Sequence, residues 1–440
     1  MGRNDPYSPL MKNLSASSFL VCANLFLNGA AFAAGEGAPA AAVKPVPPHQ
    51  YNPFGTPGET SPELLAALNK MSDTGIIPGR RNSLHLFRWT GTPPKLTHLG
   101  LWGGKVTDEV MPLTGLMPDV EFVSLYENSV DDAGLEMLLK LPKLRYLTLA
   151  PIDRYEKAGF GAPQWSYPEI PKNHDRPRVT GKVLKAFSQS ETLESIDLWD
   201  SLVESKDLAV LPAYPKLGSV GLPNVIDAET VKHLQACKRL GNLTIGNREI
   251  TAVEIERLAE WKGLRRFTIQ RSRLSTEVLE ALSKLESVQE LNLVDCGLTD
   301  AALLHLKGWA KLASLNLGRN EIQGPGLVHV AKLNLKSLEL TFNSLTDETI
   351  QHLPQLGSLE QLNVSYNTGI TDSGMRAGRL QGMTHLKKLE LRGLKKVTDA
   401  SLGDLVKFGY LTNLGIRETR TSVECVERLK AAMPNTVVFK

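Results

Sequence analysis

Leu312-Ala313-Ser314-Leu315-Asn316-Leu317 is one instance of the phrase that decides the architecture of this 440-residue chain. The phrase, an aliphatic residue at its first, fourth and sixth positions, returns about every 24 residues. Before Leu312 it reads Leu96-Leu99-Leu101, Val120-Val123-Leu125, Leu144-Leu147-Leu149 and Leu193-Ile196-Leu198, then Leu217-Val220-Leu222, Leu240-Leu243-Ile245, Leu264-Phe267-Ile269 and Val288-Leu291-Leu293. After Leu317 it reads Leu335-Leu338-Leu340, Leu359-Leu362-Val364, Leu386-Leu389-Leu391 and Leu411-Leu414-Ile416. A fixed period in this range marks a solenoid, in which each unit buries its apolar face only against its neighbours.

Within a phrase the last two aliphatic residues alternate with a polar one, the period-2 pattern of a short strand with one buried face. An Asn or Cys follows (Asn128, Cys296, Asn320, Asn343, Asn367), suited to hydrogen-bond a turning backbone. Next come an aliphatic residue and Thr-Asp, as in Leu298-Thr299-Asp300, Leu345-Thr346-Asp347, Ile370-Thr371-Asp372 and Val397-Thr398-Asp399. Thr and Asp there are expected to cap a helix and place negative charge at its positive end. The helix is amphipathic, with Leu303 and Leu306 facing in and His305 and Lys307 facing out. Strand, turn and helix therefore repeat. The expected fold is α/β: a parallel β-sheet on the concave face of a horseshoe, helices on the convex face, and thirteen strands spanning roughly 60 Å at about 4.8 Å each.

These phrases resemble the leucine-rich repeat family, and within it the helix-containing ribonuclease-inhibitor-like and GALA-type subtype, as found in bacterial exported proteins. The ending Met433-Pro434-Asn435-Thr436-Val437-Val438-Phe439 is similar to the closing half-repeat of that family, whose strand covers the last edge. The resemblance implies about thirteen repeats over 96–440, interrupted by an insertion at 151–178, and a chain that binds another macromolecule.

Net charge is +3, and no basic stripe marks a nucleic-acid surface. Residues 1–33 read as a signal peptide: Met11-Lys12, an apolar run from Phe19 to Leu27, and Ala31-Phe32-Ala33 at the cleavage positions. Residues 34–61, rich in Ala, Pro and Gly, read as a disordered tether, and 62–95 as an N-terminal cap with a helix over 62–71. The expected location is outside the cytoplasm: periplasm, cell envelope or extracellular space. After signal cleavage no segment is long and apolar enough to span a bilayer. Cys237, Cys296 and Cys425 lie on distant repeats and form no disulfide framework, and Cys296, at the turn position, reads as a buried structural thiol.

Counting each phrase from its first aliphatic residue, the third, fifth and seventh positions point out of the concave face together. In the early repeats the third position holds His98, Phe122 and Tyr146, and the seventh holds Trp102, Tyr126 and Trp199. Between them run Gly100, Ser124, Thr148 and Asp197. This pattern describes a groove with aromatic walls about 13 Å apart and a small polar floor, although aromatic residues also suit strands by propensity alone. The insertion brings Trp165 and Tyr167 to the same region, as lid or as plug. The ligand-binding candidates are therefore His98, Trp102, Phe122, Tyr126, Tyr146, Asp197, Trp199, Trp165 and Tyr167. The candidate partner is a protein or peptide, or a glycan; a structural envelope scaffold without a discrete ligand is the alternative. The later repeats carry outward charges of alternating sign (Arg271, Asp295, Arg319) that satisfy one another.

No paired-cysteine motif, His-Glu-x-x-His, phosphate loop or Gly-x-Ser-x-Gly is present. His305, His329 and His352 recur at equivalent helix positions, too far apart for easy shared ligation. No catalytic residue, metal or cofactor is expected.

Overall fold

The structure is a computed structural model that describes residues 62–63, 67, 87–90, 95–102, 106–126, 129–150, 179–199, 201–223, 226–246, 248–306, 309–376, 382–407 and 410–440. The expected signal peptide (1–33), tether (34–61) and insertion (151–178) lie outside these residues, as does most of the cap. The chain divides into two compact units, Met1–Asn224 with Lys232–Leu240, and Val225–Val231 with Gly241–Lys440.

In the first unit the strands follow chain order: β1 (Phe87–Thr90), β2 (Lys95–Trp102), β3 (Phe122–Tyr126), β4 (Tyr146–Ala150), β5 (Ser195–Leu198) and β6 (Ser219–Gly221). From β2 to β6 they pair in parallel with the leucine phrases in register, so that Leu99 lies beside Val123, Val123 beside Leu147, and Ile196 beside Val220. β4 and β5 pair directly, Tyr146 beside Ser195 and Thr148 beside Asp197, although two periods of sequence separate them. In the cap region Pro62, Glu63 and Ala67 are helical, Ala67 is buried, and β1 pairs antiparallel with β2. Sequence reading expected a helix over 62–71 and did not name the strand.

The second unit continues with β7 (Asn242–Gly246), β8 (Arg266–Gln270), β9 (Glu290–Val294), β10 (Ser314–Asn316), β11 (Ser337–Glu339), β12 (Gln361–Asn363), β13 (Lys388–Glu390), β14 (Asn413–Gly415) and β15 (Val437–Phe439). All pair in parallel with their sequence neighbours within the unit. The closing strand pairs with β14 as expected. Each phrase residue is buried: Leu291, Leu315, Leu317 and Leu414 are 0% exposed. At roughly 2 kcal/mol per buried leucine, this aliphatic column is the main cohesive term of each unit.

The segments opposite the sheet are shorter than the full helices expected. Thr276–Leu282 and Val423–Ala432 are α-helical, but Met111–Leu116, Ser205–Ala213 and Asp300–Leu306 are 3₁₀-helices. Leu303 and Leu306, three apart, are both fully buried, which a three-residue turn achieves by eclipsing them. Pro212, inside the second of these segments, removes an amide donor that an α-helix would need there, whereas Pro112 sits in the first turn, where a helix tolerates proline.

The Thr-Asp pair does more than its expected role. The threonines do cap their own helices, Thr371 accepting from the Ser373 amide and Thr398 from the Ala400 amide. Each aspartate also reaches the next repeat. Asp347 accepts from the amide (2.7 Å) and hydroxyl (2.6 Å) of Thr371, Asp372 from both groups of Thr398, and Asp399 from both groups of Ser422. Asp132 does the same for Thr180 across the insertion. These carboxylates sit in the first turn of their own helices, as expected, and in addition staple one repeat to the next. The turn asparagines form a second ladder. Asn320 donates to the carbonyls of Leu293 and Leu317 and accepts from the amides of Cys296 and Leu298; Asn367 donates to Leu340 and Val364 and accepts from Asn343 and Leu345. Cys296 sits in that ladder as a buried free thiol with its pKa raised by burial.

Candidate binding face

Parallel register brings the third-position residues of the first unit into one row, His98 beside Phe122 and Phe122 beside Tyr146. Their rings stack: His98 and Phe122 with centroids 4.0 Å apart and planes 6° from parallel, Phe122 and Tyr146 at 4.2 Å and 10°. Three successive rings arranged this way present one continuous flat edge. The row is anchored at its end. Tyr146 donates to Glu194 Oε2 at 3.0 Å, and the Arg145 guanidinium lies 5.1 Å from the Tyr146 ring centroid while bonding Glu194 and Glu121. Burial, the largest influence, raises the Tyr146 phenol to about 12. Glu194 is held below its usual range by its hydrogen bonds from Arg145 and Tyr146, which outweigh the opposing effect of burial. Tyr146 is only 9% exposed, whereas His98 and Phe122 are half-buried, so the row offers its first two rings more freely than its third.

The fifth position descends from Ser124 through Thr148 to Asp197 and then Gly221. Asp197 is 6% exposed and its partner among the described residues is the Thr148 hydroxyl, at 3.4 Å from Oδ2. Burial pushes its carboxyl up to about 7. Trp199, just beyond β5, is half-buried, and its indole Nε1 has no hydrogen-bond partner among the described residues; neither has the Ser195 hydroxyl. A β-carbon at Gly221 would stand 2.3 Å from Asp197 Oδ1 and 2.5 Å from Trp199 Nε1. The two side chains converge over that glycine, which makes room for them.

Of the sequence candidates, His98, Phe122, Tyr146, Asp197 and Trp199 thus lie on neighbouring strands of one face. The backbones of Trp102 and Tyr126 pair as expected; their side chains lie outside the described residues, as do Trp165 and Tyr167. Ser195 was missed. It occupies the third position after Tyr146, and a row that switches from rings to hydroxyl was the available signal.

A second ring pair, also missed, lies in the second unit at the eighth position. Phe342 and Tyr366 stack at 4.4 Å and 2°, with the Arg319 guanidinium 4.7 Å from the Phe342 centroid. Tyr366 donates to Glu418, which pairs with Arg392 at 2.5 Å. Backbone at this position is left-handed in Arg271, Asp295, Arg319, Phe342, Tyr366 and Glu418, a conformation costing about 1 kcal/mol for a side-chain-bearing residue. Gly393, φ +72, takes the same place in its repeat, and the Tyr366 ring occupies the space a β-carbon there would need.

Elsewhere in the first unit, a shallow cleft of about 320 Å³ lies among Leu138, Leu141, Phe187, Glu191 and their neighbours. His305 lies 3.7 Å from Glu280. Among the described residues no group of three or more His, Cys, Asp or Glu could hold a metal ion, and no helix is long and apolar enough to cross a membrane.

The family model described as Leucine Rich repeat matches residues 332–351 and 358–377. No curated protein matches the chain. Among solved structures it is similar to an internalin (inlF) from Listeria monocytogenes, at 17% identity, covering 91% of this chain and 99% of that one, with a TM-score of 0.41. It is also similar to TLR13 in a complex with ssRNA13, at 15% identity, covering 75% of this chain and 50% of that one, with a TM-score of 0.43. The thirteen phrases each form a strand, in register within each unit, and two adjacent repeats match the family model, so the fold is that of a leucine-rich repeat solenoid.

Proposed function

We propose that this chain is an exported, non-enzymatic recognition module that grips a protein, peptide or glycan through the sheet face of its first unit. The carrying observation is the stacked row of His98, Phe122 and Tyr146 beside Ser195 and Trp199, whose buried polar atoms have no partner among the described residues. A flat aromatic edge supplies contact area at little conformational cost, and polar groups left unsatisfied within a fold are stabilised when a partner supplies the missing bonds. Residues 1–33 support export by their charge, apolar run and small-residue cleavage positions.

The test is to probe a random-peptide array and a glycan array with the labelled full chain and with its Phe122→Ala/Trp199→Ala double variant. The expected result is retention on one array that the double variant loses while keeping its circular dichroism spectrum. Equal retention by both proteins would contradict the assignment of this face. Export is tested by fusing residues 1–40 to alkaline phosphatase; activity confined to the cytosolic fraction would contradict it.

A further inference from the structure

The fifth-position carboxylate in the first unit stands out because, unlike Glu254 and Glu194, it has no arginine beside it. Glu254, 1% exposed, is held by Arg248, by the amides of Ile226 and Thr251 and by the Thr251 hydroxyl. Glu194 accepts from Nε and Nη2 of Arg145. Asp197 receives one long bond from a neutral hydroxyl. Its strand neighbours at that level are Thr148 and Gly221, and on the same face Tyr146, Ser195 and Ser219 flank it. None of these is a cation. The nearest charged cluster, Arg145 with Glu121 and Glu194, is already paired within itself.

Around this acid the available groups are complementary to one kind of visitor. Asp197 Oδ1 and Trp199 Nε1 meet over Gly221, in the space that a side chain at that position would take. The indole and the Ser195 hydroxyl are donors in want of an acceptor, such as a backbone carbonyl. The carboxylate wants a cation, and the indole face attracts one. In surroundings of low dielectric that attraction is stronger than in water.

We propose that Asp197, Trp199 and Ser195 form a receptor for one basic side chain, lysine or arginine, of an extended peptide. This rests on the recognition role assigned above to the same face and narrows its partner from macromolecule to basic peptide. The carboxylate binds the ammonium or guanidinium, the indole ring covers it, and the indole N–H and serine hydroxyl take the neighbouring peptide carbonyls. Because burial holds the free carboxyl at about 7, docking a cation drives off its proton.

The experiment uses the full chain on two arrays of random dodecapeptides, one natural and one synthesised with citrulline for arginine and acetyl-lysine for lysine. Wild type should be retained on the natural array and lose about tenfold or more on the neutralised one. Asp197→Asn should show the same loss on the natural array, and so should Gly221→Ala, whose methyl group enters the space between Asp197 and Trp199. Wild-type retention should strengthen about tenfold as pH rises from 6 to 8, with Asp197→Asn flat. Equal retention on both arrays, or by Asp197→Asn, would overturn the basic-peptide receptor, as would retention on glycans alone. Those outcomes leave the recognition face standing if Phe122→Ala/Trp199→Ala still abolishes retention; if the double variant binds like wild type, the face itself fails.

Discussion

In the second unit the row of fifth-position groups is answered from within. Asn292 donates to Thr268, Asn316 accepts from the Gly318 amide, and Asn363 donates to Glu339, which also accepts from the Thr341 amide and hydroxyl. Arg266 and Glu290 meet through two bonds of 2.5 Å. In the first unit the same row holds Ser124, Thr148, Asp197 and Gly221, and the polar atoms of Ser195 and Trp199 beside it lack partners among the described residues. One repeat therefore builds two kinds of surface. A self-satisfied face is rigid and indifferent to ligands, whereas a face with unmet donors and an uncompensated acid gains from a partner.

The largest effect should come from breaking a ladder that both surfaces depend on. Asn367→Ala removes a side chain with four backbone partners at 0% exposure. It should lower stability by about 3–5 kcal/mol, read as a fall in the urea midpoint. A loss under about 1 kcal/mol would mean that water or neighbouring amides replace the asparagine.

Asp197→Asn should act in the opposite sense and sharpen the contrast between the units. The folded-state pKa of Asp197 is raised from 3.8 to about 7, so the native state holds its proton more tightly than the unfolded chain. Stability from this group is therefore full below about pH 4 and is lost as pH rises toward 7 and beyond, by roughly 4 kcal/mol at most. The asparagine variant lacks that loss. Its melting temperature should match wild type near pH 4 and exceed it increasingly up to pH 8; a gap independent of pH would remove the buried uncompensated carboxylate from the account. Glu339, raised to about 8 by burial, titrates in the same direction but keeps hydrogen bonds from Thr341 and Asn363. Glu339→Gln should consequently alter melting without touching ligand retention.

A smaller effect is expected from the staples. Asp347→Ala leaves the amide and hydroxyl of Thr371 without their acceptor and should cost about 1–3 kcal/mol by urea denaturation, with retention unchanged. The smallest belongs to the second ring pair. Tyr366→Phe deletes a partly exposed bond to Glu418 while keeping the stack on Phe342, and should change stability by less than about 1 kcal/mol. If it also reduced ligand retention, the second unit would have to share the recognition role.

The leucine spacing made every strand from β2 to β14 legible, because only one face of a short strand can be buried and aliphatic residues mark it. The aromatic row was legible for the same reason: position within the phrase dictates register, and register dictates that His98, Phe122 and Tyr146 meet. The destination of the Thr-Asp aspartates was not, because the atoms that bind Asp347 lie 24 residues away, in a repeat whose placement has to be known first. One of the 3₁₀ segments had a visible sign in Pro212, outweighed in reading by the amphipathic pattern. The left-handed eighth position was hidden, since Arg, Asp, Phe, Tyr and Glu stand where only Gly393 advertises the conformation. Asp197 was readable as part of a polar floor, but its burial depends on the packing of three strands and not on its own neighbours in the chain.

The most direct measurement is the affinity of the full chain for its strongest array partner, compared between two double variants of equal size. Phe122→Ala/Trp199→Ala alters the first unit, and Phe342→Ala/Tyr366→Ala alters the second. The first variant should lose at least about a hundredfold in Kd while the second stays within about threefold of wild type. Equal losses, or a larger loss from the second variant, would contradict the recognition role of the first unit.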